Sequence, residues 1–79
     1  MMMSPQTFVQ EFKDKPVAYC IDARDNLIRE LKTFEMNPDY EADIFPSPLT
    51  KYLVYVDYLK ELSDVIAQKI RMNDPANNK

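Results

Sequence analysis

The chain contains no glycine, no histidine, no tryptophan and a single cysteine, Cys20. Without glycine there is no loop of the glycine-rich kind that cradles phosphate. Without histidine the commonest transition-metal ligand and the usual general base are both missing. One cysteine excludes an internal disulfide. Long apolar runs are also absent. The longest near-continuous one, Tyr52 to Val56, ends at Asp57, far short of the ~18 residues a membrane span needs. Residues 1–4 lack the basic and apolar regions of a secretory leader, so the expected compartment is a reducing cytoplasm. Positive charge is in short supply: ten basic residues face thirteen acidic ones, for a net charge of −3. A protein that neutralises many phosphates needs the opposite balance, so direct nucleic-acid binding is disfavoured.

What remains is an ordinary soluble composition, 46% hydrophobic and 29% charged over 79 residues, which fits one domain. The spacing of its apolar residues predicts an all-α fold. Ser4-Pro5 and Ser47-Pro48 each read as an N-cap followed by proline at the first helical position, where the missing N–H costs nothing. Pro16 reads as a third helix start. The expected layout is a flexible N-terminus over residues 1–4, one helical domain over 5–72 and a disordered polar tail over 73–79. Within the domain, helices are expected at about 5–13, 16–36 and 48–72.

The first helix carries Phe8, Val9 and Phe12 on one face. The second repeats Val17, Cys20, Ile21, Leu27, Ile28, Leu31 and Phe34 at spacings of three and four, with the stem of Arg24 filling the gap. Asp25 and Arg29 form a favourable i, i+4 pair on its polar side. Asn37-Pro38 ends it. The third repeats Tyr52, Tyr55, Val56, Leu59, Leu62, Ile66 and Ile70. The run Tyr52 to Val56 also suits a strand, but the helical spacing continues for about twenty residues, which decides for helix. The connector over 37–47 is extended by Pro38 and Pro46. At about 36 Å of reach it could either reverse the chain or cross over the roughly 31 Å second helix.

Leu53, Val54 and Tyr58 widen the third helix's stripe beyond what one neighbouring helix covers. Leaving several such side chains wet forfeits roughly 1.5–3 kcal/mol each, comparable to the whole stability of a small domain. The expectation is a long helical hairpin that assembles as a four-helix dimer. Its self-association contact would comprise Leu53, Val54, Tyr55, Tyr58 and Leu62, with tyrosine supplying contact area at little entropic cost.

The connector is the other candidate site. Glu35, Asp39, Glu41 and Asp43 fall within nine residues that hold no basic residue, interleaved with Tyr40, Ile44 and Phe45. Asp39, Tyr40, Glu41, Asp43 and Phe45 would then form an acidic-aromatic segment for a partner with a basic surface. The plainer alternative is a solvated loop pinned by Ile44 and Phe45.

No catalytic, cofactor-binding or metal-ligating set is expected. Cys20 lies on an apolar stripe with no base nearby. The acid pairs Asp22–Asp25 and Asp57–Glu61 lie on polar faces and lack the histidines that accompany carboxylates in di-metal bundles. The expected function is a non-enzymatic interaction module, a regulator or adaptor, with neither a membrane nor a small-molecule substrate as partner. The alternative is an acidic inhibitor whose carboxylates block the basic cleft of a nucleic-acid-binding protein.

Overall fold

The computed structural model describes residues 3–40 and 45–73. Among these residues it is all-α, with three helices and no strand: α1 (Pro5–Gln10), α2 (Val17–Met36) and α3 (Pro48–Asn73). The described chain extends over 53 × 25 × 15 Å.

The helix starts follow local chemistry. The Ser4 hydroxyl accepts from the Thr7 N–H, with Pro5 at the first helical position. The Ser47 hydroxyl does the same for Thr50 at 3.2 Å. Each satisfies one of the donors that a helix N-terminus leaves without a partner. The Asn37 N–H closes the end of α2 on the Phe34 and Thr33 carbonyls. Pro16 starts α2 with no side-chain cap.

Helix α1 is shorter than the expected 5–13. After Gln10 the chain tightens, with Phe12 bonding to the Val9 carbonyl and Lys13 to the Gln10 carbonyl, and residues 11–14 form turns. Pro16 disfavours helical geometry at Lys15, so the turn cannot grow back into α2. Two residues of the expected N-terminal segment over 1–4 make contacts. Ser4 caps α1, and the Met3 carbonyl accepts from the Tyr58 hydroxyl. Asn73 belongs to α3 rather than to a tail. Residues 1–2, 41–44 and 74–79 lie outside the described residues.

The chain reverses between α2 and α3. At one end the Phe34 and Tyr52 rings stack at 4.8 Å, and the Tyr52 hydroxyl donates to Glu35 at 2.6 Å. At the other end the Lys69 ammonium donates to the Lys13 carbonyl at 2.7 Å. Helices α2 and α3 are therefore antiparallel. Cys20, Leu27 and Leu31 from α2 and Tyr58, Leu62 and Ile66 from α3 are buried, joined by Val9 and Phe12 from the N-terminal segment. Helix α1 packs on α3 and makes no comparable contact with α2.

The polar face of α2 departs from expectation in one detail. Arg29 donates to the Asn26 side-chain Oδ1 at 3.0 Å rather than pairing with Asp25, whose carboxylate sits 3.9 Å from Arg24 Nε.

Candidate interaction surface

Eight of the nine aromatic rings fall into two chains of ring contacts, some stacked and some tilted or edge-on. The first follows the side of the hairpin that α1 covers, running Tyr19, Phe12, Phe8, Tyr58, Tyr55 with centroid spacings of 5.7, 5.1, 4.2 and 5.8 Å. Phe8 and Tyr58 are nearly parallel, at 4°. A lysine sits over each end, Lys15 on Tyr19 at 5.5 Å and Lys51 on Tyr55 at 5.4 Å, as the negative faces of the rings favour. The second closes the turn end, with Tyr40 edge-on to Phe34 at 5.9 Å and Phe34 stacked on Tyr52.

This arrangement revises the expected self-association surface. Tyr58 and Leu62 are 4% and 0% exposed within one chain. Phe8 covers Tyr58, and Leu62 lies in the cluster that α1 seals, so neither is available to a second copy. The wide stripe on α3 is wide because α1 needs part of it. Val54 and Tyr55 are half-buried against the same core. Leu53 alone of the five is exposed, at 54%.

The candidate connector behaves differently. Asp39 and Tyr40 are exposed, and Phe45 is 93% exposed. Glu41 and Asp43 lie outside the described residues. Phe45 is the ninth ring and has no ring partner among the described residues. Met36, also exposed, is the last residue of α2. The turn end thus carries an exposed aromatic ring, an exposed thioether and the carboxylates of Glu35 and Asp39.

Two phenols are held above their ordinary pKa of 10.0. For Tyr52 the main cause is the hydrogen bond it donates to the Glu35 carboxylate, followed by desolvation and the nearby negative charge. For Tyr58 it is desolvation beneath α1, followed by the neighbouring Tyr55. Cys20 is fully buried, and its thiol donates to the Phe12 carbonyl at 3.5 Å.

Three open grooves mark the surface. One of about 440 Å³ lies between α1 and α2, floored by Leu27 and Ala23 and walled by Phe8 and Tyr58. One of about 490 Å³ at the open end of the hairpin is lined by Lys13, Lys15 and Lys69. One of about 230 Å³ lies beside Phe34 and Tyr52 at the turn end. Glu30 is the single carboxylate among their linings. Among the described residues, no three cysteine or acidic side chains gather where a metal ion could be held. None of the described helices is long and apolar enough to cross a membrane.

The connector was visible in the sequence as an acidic-aromatic segment. The division of rings was not, because it depends on α1 folding back across 55 residues of sequence to reach Tyr58. No protein-family model, curated protein or solved structure matches this chain.

Proposed function

We propose that this chain is a small non-enzymatic interaction module, a regulator or adaptor, that self-associates through its long helices and meets a partner with a basic surface through its turn end. The observation that carries the partner contact is Phe45. Eight rings each contact another ring of the chain, while this one stands 93% exposed next in sequence to an acidic segment. A ring this exposed buries little area against the described residues, and aromatic side chains are enriched among interface anchors. The surrounding carboxylates would steer a basic partner and fix its register.

A photo-crosslinking residue placed at Phe45 tests this in the cell of origin, with the same residue at the exposed Lys60 as control. The expected result is one crosslinked protein specific to position 45, with capture weakened by Tyr40→Ala or Phe45→Ser at unchanged helicity. The captured protein should bind less tightly as salt rises. Identical labelling from both positions, or loss of helicity in Phe45→Ser, would overturn the reading.

A further inference from the structure

Helix α1 covers one side of the α2–α3 hairpin, and among the described residues nothing covers the other. At about 100° per residue, Ile21 and Ile28 of α2 lie a quarter turn from the buried Leu27, on the side away from α1. On α3 the same side carries Val56, Leu59, Ser63 and Ile70. Ile28 and Ile70 are 38% and 55% exposed, and the other four are half-buried. The residues outside the described set bring little to cover this face. Residues 74–79 hold no large apolar side chain, residues 41–44 offer only Ile44, and the two methionines at 1–2 adjoin Met3, which bonds to Tyr58 on the α1 side.

We infer that this face is covered by a second copy of the chain, laid across it antiparallel to form a four-helix bundle. The inference rests on the self-association part of the function proposed above and supplies its surface and direction. Three observations select this occupant.

The first is area. From Tyr52 to Ile70 the face is about 27 Å long, and two packed helices make it about 20 Å wide. Two copies would cover roughly 1,100 Å² in projection, and more along the ridges of the side chains, which approaches the ~1,200–2,000 Å² of specific pairs.

The second is register. A two-fold axis in the plane of the face, perpendicular to the helices, places Val56 opposite the partner copy's Ser63 and Leu49 opposite its Ile70. On α2 the same operation places Ile21 opposite Ile28. It also brings Arg24 to Asp25 of the other copy, twice, by symmetry. Arg24 Nε is buried and has no hydrogen-bond acceptor among the described residues, the Asp25 carboxylate of its own chain standing off at 3.9 Å.

The third is charge. Among the described residues the turn end carries the acids Glu30, Glu35 and Asp39 against Lys32 and Lys51. Residues 13–17 and 65–73, at the other end, hold four cations against Asp14. A parallel pair would set the two acidic ends side by side. An antiparallel pair sets each acidic end over the partner copy's lysines.

Sedimentation of the full chain at micromolar concentration should give twice the 9.3 kDa chain mass. Val56→Glu with Ile70→Glu should raise the dissociation constant about a hundredfold or more, since each buries an unpaired charge at the contact, while the helical circular dichroism stays unchanged. Ile70→Glu alone, at an exposed position, should act in the same direction and guards against a folding defect in the pair. Under mild oxidation the double variant Leu49→Cys, Ile70→Cys should crosslink into a covalent dimer, and Ile70→Cys alone should not. A dimer that withstands both glutamates but dissociates with Leu53→Glu overturns this face and leaves self-association standing. Crosslinking of Ile70→Cys by itself overturns the antiparallel direction. A monomer at every concentration overturns this inference and the self-association reading together, leaving the turn-end contact to its own test.

Discussion

Phe12 lies in the turn after α1, only 4% exposed. Its ring sits 5.1 Å from Phe8 and 5.7 Å from Tyr19, and its carbonyl accepts from the Cys20 thiol. Replacing it with alanine removes a side chain that buries about 200 Å². At about 25 cal/mol per Å² the lost transfer energy is at most about 5 kcal/mol. Measured Phe→Ala substitutions in cores fall at about 3–5 kcal/mol, which agrees. A 79-residue chain has roughly 4–12 kcal/mol of stability in total. Phe12→Ala should therefore lower the melting temperature by more than about 12 °C and shift the urea midpoint to match. A second readout comes from Cys20, the only thiol in the chain and fully buried beside Phe12. In the native protein it should resist a thiol reagent such as Ellman's. In Phe12→Ala it should react at a rate set by local opening, before global unfolding. A melting shift under about 3 °C, with Cys20 still protected, would show that the N-terminal segment does not seal the core.

Removing either serine cap, by Ser4→Ala or Ser47→Ala, should cost about 0.5–2 kcal/mol by chemical denaturation. Only Ser4→Ala should also speed amide exchange in α1, and equal effects on α1 from both would contradict the geometry. Because folding raises the Tyr52 and Tyr58 pKa values above 10.0, their contribution to stability is complete below pH 10 and fades as the pH climbs through the raised folded values. Absorbance at 295 nm should show two phenols ionising late and together with loss of helicity; a single class of five at the ordinary value would refute this. Tyr52→Phe removes only the bond to Glu35 and keeps the ring on Phe34, so it should leave the melting temperature nearly unchanged while abolishing one late phenol.

The three helices were legible because each signal was local. Ser-Pro pairs marked two starts, Asn37-Pro38 marked an end, and three/four spacing marked the interiors. The early end of α1 at Gln10 was not legible, because Pro16 constrains only Lys15 and the apolar pattern continues to Phe12. The use of each apolar residue on α3 was not legible. Tyr58 and Leu53 look alike in sequence, and which becomes core depends on the side on which α1 returns. The same holds for Arg29, for which Asn26 and Asp25 are both within helical reach. The exposed ring of Phe45 was legible as part of an unusual connector, though its isolation appears only when the other eight rings have found partners.

The first helix in the chain rests on the last. Met3, Gln6 and Lys13 reach partners at Tyr58, Glu61 and Lys69, each 55 or 56 positions further on. During synthesis at about 5–20 residues per second, α1 emerges early and has nowhere to settle until nearly all of α3 has left the ribosome. Six residues of helix are too few to persist alone in water. Phe8 and Phe12 therefore wait in solution as unfolded chain for several seconds, available to chaperones, and the molecule closes only when its far end arrives.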